Sequence, residues 1–249
     1  MWVRLPPSPP YFCCTKFNMK IRINKYLANA GVGSRRNNEQ DIRDGKVSIN
    51  GRKALLGEFI DSEKDVIKLG DKIITQSAKP VYFALNKPLG IISSVKDEHG
   101  RKTVVDIVRC KERIFPVGRL DYNSTGLIIL TNDGDLMLKL THPRYHLPKK
   151  YFVEVKEAIQ QNQLNAMEKG VRLEDQVTLP AEVKRFGKNK FEIVLYQGIK
   201  RQIREMCIAL GLTVVTIHRT DIGPLNIGDL KSGAFRNLTN KEIAVLKRC

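Results

Sequence analysis

An α+β chain in two parts is the architecture this sequence predicts, and three observations predict it. Strand-like and helix-like stretches are mixed without the regular βαβ alternation of a parallel sheet. Leu127-Ile128-Ile129-Leu130 is a continuous apolar run, too short for a helix and bounded by turn residues, and it reads as a strand buried on both faces. A linker-like stretch, QSAKPV at 76–81, separates a small basic segment from a larger one. At 249 residues the chain is long enough for two cores.

The charge balance narrows the partners. Lys and Arg number 43 against 26 Asp and Glu, a formal net charge of +17, and such an excess attracts polyanions. A membrane is the rival partner, but no apolar run is long enough to span a bilayer and no basic helix with a strong apolar face is present. Nucleic acid therefore leads. The five cysteines are odd in number and form no C-x-x-C pair, which argues against a zinc site or disulfide framework and fits a reducing, cytoplasmic setting. His142 and His146 are four apart, but Pro143 between them disfavours a helical metal-ligand pair. With no Walker or dinucleotide glycine loop either, the expectation is an activity without metal or small-molecule cofactor.

Taken in order, residues 1–18 hold Pro6, Pro7, Pro9 and Pro10 and no signal-like apolar core, so they read as an extension ahead of a start at Met19. Trp2 is the only tryptophan, so emission from native protein would refute that start. Ile23, Tyr26, Leu27 and Ala30 then fall on one face of a short helix closed by Gly31. Ser34 is placed to cap a second helix that runs to about Asp44 and stops at Gly45. Val47 and Ile49 alternate up to Asn50-Gly51, a hairpin turn signal, and a second strand pair, Asp65 to Leu69 and Lys72 to Thr75, flanks Gly70-Asp71. Residues 19–53 carry nine Lys/Arg against three Asp/Glu, whereas residues 54–80 carry four against five. That segregation predicts one basic face for RNA phosphates, with Lys25, Arg35, Arg36, Lys46, Arg52 and Lys53 as its cations.

RINKYLANAGVGSRR followed by DGKVSINGR resembles the S4-like RNA-binding domain. That resemblance assigns 19–76 to such a domain. Asn37 stands where the family usually has a glutamate that completes a capping box.

The second part, 80–249, begins with a strand at Tyr82 to Leu85, broken by Asn86-Lys87-Pro88-Leu89-Gly90 and resumed at Ile91-Ile92. A short helix at Arg101 to Val108 and a lead-in at Arg113 to Val117 reach GRLDYNSTGLIILTNDG. Asp121 stands there in a small, polar loop directly before the buried strand. A carboxylate so placed is either a turn former or a reagent. Helices at Gly134 to Leu140 and Gln160 to Lys169, a strand at Tyr151 to Val155, and strands within Val177 to Leu195 around Gly187-Lys188-Asn189 follow. In QGIKRQIREMC, a helix buries Ile203, Met206, Cys207 and Leu210 and gathers Lys200, Arg201 and Arg204 at its N-terminus. The helix dipole disfavours cations there, so the cluster calls for an anion: a phosphate, or a carboxylate of this chain.

GRLDYNSTGLIILTNDG and QGIKRQIREMC, with NKPLGIISS, KKYFVEV and IGPLNIGDLKSGAFRNLT, resemble the RsuA/RluB/RluE/RluF family of ribosomal RNA pseudouridine synthases. The resemblance covers nearly the whole chain after residue 18. It implies a mixed, mainly antiparallel catalytic domain behind the S4-like one. It also implies Asp121 as the catalytic aspartate, Tyr151 as the active-site tyrosine, and Arg204 as the arginine that pairs with Asp121. Arg119, Lys200 and Arg201 are the expected RNA contacts of this domain. Two features depart from the family pattern: Ser124-Thr125 reverses a common order, and His218 and Asp221 make IHRTDIGPL less basic.

The chemistry so implied moves the glycosidic bond of uridine from N1 to C5, an isomerisation with no redox change that needs one carboxylate and no cofactor. The base must leave its helix first. Asp121 would act as nucleophile or as the base that opens a ribose route. Similarity is greatest to the RluB branch, which implies position 2605 of 23S rRNA, naked or in a pre-ribosomal subunit. Other 23S sites and the 16S target of RsuA are the alternatives within the family. A non-catalytic rRNA-binding assembly factor is the alternative outside it. No hydrophobic interface is legible, so a monomer is expected.

Overall fold

The computed structural model describes residues 20–75 and 79–249, and the expectations for 1–18, Met19 and part of the linker lie outside them. The described residues form two compact units, 20–75 and 79–249.

In the first unit, β1 (Lys20–Arg22) leads into α1 (Ile23–Asn29) and α2 (Arg35–Arg43), followed by β2 (Val47–Ile49), β3 (Arg52–Lys53), β4 (Phe59–Asp61), β5 (Ile67–Leu69) and β6 (Lys72–Ile73). Ile23, Leu27, Ile42, Val47, Ile60 and Ile67 form its core. Ser34 caps α2, its Oγ accepting from Asn37 N at 3.1 Å. Asn50 (φ 50°) and Gly51 (φ 85°) make the tight turn between β2 and β3, because both central positions of such a hairpin need positive φ. The sheet order is β3-β2-β5-β6, all antiparallel. β1 and β4 pair separately, a contact that three-residue strands announce too weakly in sequence.

The second unit holds β7 (Tyr82–Lys87), α3 (Val104–Val108), β8 (Phe115–Val117), β9 (Thr125–Thr131), α4 (Gly134–Thr141), β10 (Lys149–Val155), α5 (Gln161–Lys169), β11 (Glu182–Arg185), β12 (Lys190–Leu195), α6 (Gln202–Ala209), β13 (Val214–Ile222), β14 (Leu225–Asn226), β15 (Phe235–Asn237) and α7 (Asn240–Leu246). Its nine strands form one sheet, β11-β12-β10-β13-β9-β7-β15, with β14 on β13 and β8 on β9. The pairing is antiparallel except between β13 and β9, where His218 and Arg219 lie parallel to Thr125 and Gly126. This α+β, mainly antiparallel architecture is the one expected.

β9 is the strand the core is built around. Leu127 and Ile129 pack with Leu136 and Leu140 of α4 on one face, and Ile128 and Leu130 pack with Val104 and Val108 of α3 on the other. A third cluster places Met167 of α5 and Met206 of α6 against Val153, Phe191 and Ile193.

Two expectations are corrected. β7 does not break at Asn86 but runs through Lys87, whose Cα partner is Gly126 of β9. Polar residues continue a buried strand here because their side chains reach carbonyls inside: Asn86 Nδ2 donates to Leu230 O at 2.7 Å and Lys87 Nζ to Ser124 O at 2.7 Å. Ile91-Ile92 forms no strand; Ile92 makes a single bridge to Thr103, where the capping box of α3 starts.

Candidate active site

A cleft of about 580 Å³ opens on one face of the second unit's sheet, over β10 and β13. Leu140 and Leu147 from the α4 cluster wall one side, and Leu195 and Ile203 from the α6 cluster wall the other. Asp121 is the one carboxylate among its described lining residues, facing the cations Arg119, Lys149, Lys200, Arg201 and Arg219.

The loop that carries Asp121 is held through its main chain. Ser93 Oγ donates to Leu120 O (2.8 Å) and accepts from Leu120 N (3.1 Å). Ser124 N closes a turn on Asp121 O at 3.1 Å, and Gly90 N donates to Tyr122 O at 3.1 Å. Arg204 Nη2 donates to Asn123 O, and Lys87 Nζ to Ser124 O, each at 2.7 Å. Arg219 Nε donates to Leu127 O at 2.7 Å and its Nη1 reaches Arg119 O at 3.5 Å. Every carbonyl from Arg119 to Ser124 thus has a donor, and three cationic side chains supply half of them. A loop so pinned orients its carboxylate without depending on bound ligand.

Burial sets the charges of these groups. Lys87 is fully buried, and its pKa is pushed down to about 8 by loss of solvent and by Arg219, with Asp121 acting in the opposite direction. Burial, and then Arg201, also pull Arg204 below the usual arginine value, again opposed by Asp121. Both cations therefore feel the carboxylate. Among the described residues, however, no ion pair within 4 Å joins Arg204 to Asp121. The direct pair expected for Arg204 is replaced by its bond to the neighbouring Asn123 carbonyl, which a residue on the first turn of α6 reaches across the loop. α6 begins at Gln202, with Arg201 as its N-cap in the left-handed region (φ 55°) and Lys200 exposed before it. Leu210, just past the helix, is half-buried and packs against the cluster that Ile203, Met206 and Cys207 enter.

Tyr151 on β10 lines the cleft and is the Cα partner of Arg219 on β13. Register skips Thr220 beside it, a bulge that keeps Arg219 and Ile222 on the cleft side with Tyr151 and Lys149. Gly126 makes the β9–β13 approach possible: at φ 108°, a Cβ there would stand 2.2 Å from Arg219 O.

Of the other expected contacts, Arg119, Lys200 and Arg201 are exposed at the cleft. Lys25, Arg35, Arg36, Lys46, Arg52 and Lys53 belong to the first unit. Arg35, Arg36 and Lys53 are exposed, whereas Lys46 pairs with Asp44 (2.9 Å) and Asp41 (3.1 Å), and Arg52 pairs with Glu58.

Residues 81–209 match the family described as RNA pseudouridylate synthase, and residues 21–67 match the S4 domain. The chain is 38% identical over 234 residues to the ribosomal large subunit pseudouridine synthase B of Bacillus subtilis, spanning 91% of this chain and 95% of that one. The chain belongs to the RNA pseudouridylate synthase family. It is similar also to the dual-specificity RNA pseudouridine synthase RluF of Escherichia coli, at 37% identity over 225 residues, 90% of this chain and 77% of that one. A crystal structure of a pseudouridylate synthase superposes with a TM-score of 0.68 at 31% identity, covering 91% of this chain and 99% of that chain. A pseudouridylate synthase is an isomerase, and this chain carries both parts of the expected architecture.

Sequence reasoning assigned no role to Lys87, Ser93, Lys149 or Arg219. NKP, ISS, PKKY and IHRTDIG did hold them, but a lone polar residue in a strand segment reads as solvent-facing until its partner is known.

Proposed function

We propose that this protein converts one uridine of ribosomal RNA to pseudouridine in the cytoplasm, at the 23S position implied by its RluB-like motifs, with Asp121 as the reagent. The observation that carries the reading is Asp121 alone among cations in a cleft of a size suited to one flipped nucleotide, on a loop whose carbonyls are all bonded. The similarity to a large-subunit synthase supports the rRNA target.

The N1–C1′ bond of the flipped uridine breaks, the base turns, and C5 bonds to C1′. Asp121 serves this either by attack on C1′ or by taking the C2′ proton. Tyr151 stacks on the uracil, and Arg119, Lys200 and Arg201 hold the flanking phosphates. Arg204 and Lys87 act on Asp121 through the loop they hold and through their charge. The first unit anchors the RNA by its exposed cations.

The test is to map pseudouridine in rRNA from a deletion strain complemented with wild type or Asp121→Asn. One site is lost on deletion and returns with wild type only. Restoration by Asp121→Asn would remove the carboxylate from the mechanism, and a lost site in 16S rRNA would overturn the 23S assignment.

A further inference from the structure

Lys149 is a charge in the cleft that the proposed chemistry has not used. It stands two residues before Tyr151 on β10, so both side chains emerge on one face of the sheet, and both line the cleft. It is half-buried, its Nζ donating to Leu147 O at 3.1 Å. Among the described residues no carboxylate lies within ion-pair distance of it. Its charged neighbour is instead Arg219, which is 2% exposed and whose Nη2 has no hydrogen-bond partner among the described residues. Burial and that repulsion hold the Lys149 pKa down to about 8.

Two neighbouring cations with no carboxylate in ion-pair contact raise the energy of the site, and an anion placed between them relieves it. RNA phosphate is one source, but it stays on the backbone, where the exposed Arg119, Lys200 and Arg201 already stand. Lys149 is less exposed than these three, on the same sheet face as Tyr151 and across from Ile222. The anion that reaches such a place is one that the reaction itself creates.

We infer that Lys149 is a catalytic residue whose ammonium holds the detached uracil anion between loss of the N1–C1′ bond and formation of the C5–C1′ bond. This rests on the isomerase reading above. When N1–C1′ breaks, its electron pair leaves with the base and the charge spreads over N1, O2 and O4. The ribose is balanced by Asp121, through an ester bond at C1′ or by removal of the C2′ proton to leave a C1′=C2′ double bond. C5 then bonds to C1′ as the ester breaks or the proton returns to C2′. C5 finally loses its proton and N1 gains one. Nothing is oxidised or reduced, and Lys149 keeps its proton throughout. Arg219 is a positioning residue here, its charge at the back of the site directing the anion toward the ammonium.

The experiment uses the full chain and an rRNA fragment containing the target uridine, comparing wild type, Lys149→Met, Lys149→Gln and Lys149→Arg. Single-turnover rate at saturating RNA is measured beside RNA affinity by filter binding. Lys149→Met and Lys149→Gln lower the rate by about 10²–10³-fold, the scale of removing one donor to a developing anion. Affinity changes by less than about threefold, and Lys149→Arg recovers much of the rate. Replacing the uridine by 5-fluorouridine stabilises the departing anion, so the deficit of Lys149→Met in consuming it shrinks at least about tenfold. Weakened affinity with an unchanged saturated rate would overturn the inference and place Lys149 on a phosphate. An equal deficit on both RNAs would overturn it as well. Wild type that isomerises no rRNA uridine would instead bring down the reading beneath it.

Discussion

Lys87 Nζ donates to Ser124 O across 2.7 Å, tying β7 to the loop that presents Asp121 from the interior of the sheet. The same ammonium reaches Pro88 O at 3.1 Å, so a fully buried cation is satisfied by carbonyls rather than by a contact carboxylate. Lys87→Met leaves the Ser124 carbonyl without its donor, at a cost of about 1–3 kcal/mol in urea unfolding and about a 10–100-fold fall in turnover. The pH dependence has a definite sign. The folded pKa is about 8, below the unfolded value, so between those values the unfolded chain holds more protons and this group makes stability rise with pH. Unfolding curves at pH 7.5 and 10 show this contribution as a difference, the change in stability with rising pH being less favourable in Lys87→Met than in wild type.

Arg204 holds Asn123 O on the other side of the same loop. Under the proposed mechanism, in which the residue acts on Asp121 rather than on the RNA, Arg204→Met lowers the saturated rate by about 10–100-fold while RNA affinity changes by a few-fold at most. Steady-state kinetics with filter binding separates the two. A loss confined to affinity would contradict the assignment.

Gly126→Ala is expected to be severely destabilising, by more than about 3 kcal/mol. Its Cβ would meet Arg219 O at 2.2 Å and Arg219 N at 2.5 Å, both backbone atoms, from a φ of 108°. Gly134→Ala is the control: a Cβ there meets nothing within 4 Å, and alanine favours the start of α4. Thermal melts should show Gly126→Ala far below wild type and Gly134→Ala at or slightly above it.

Glu242 at the start of α7 receives two bonds from Arg236, at 2.7 and 2.9 Å, and caps Thr239 N at 2.8 Å. The Arg236 guanidinium, then the Thr239 bonds, hold its pKa down to about 2 against burial. Its contribution is complete above the unfolded value of about 4.3 and is lost as pH falls from there through 2. Partial exposure of the pair limits the effect to about 1 kcal/mol. Glu242→Gln should flatten the fall in melting temperature between pH 5 and pH 2.5.

Removal of the first unit tests its role as an RNA anchor. A chain comprising residues 79–249 should bind the rRNA fragment more weakly, with a shallower dependence of log affinity on log salt, since each phosphate contact contributes about one unit of slope. Unchanged affinity and slope would remove the anchor.

Sequence alone determined the elements whose causes are local. The apolar run from Leu127 to Leu130 declares a strand buried on both faces, Ser34 declares the start of α2, and Asn50-Gly51 declares a hairpin, each from neighbours a few residues away. Asp121 was marked by its place before that strand and by its motif. Tertiary structure decided how its loop is held. Lys87, placed in a strand break by the sequence, and Arg219, given no role by it, find their carbonyls at Ser124 and Leu127, 37 and 92 residues away. Arg204, expected on the carboxylate, bonds a carbonyl 81 residues away instead. The free energy of a buried charge depends on the acceptors that the completed sheet brings to it, and no local pattern encodes those acceptors.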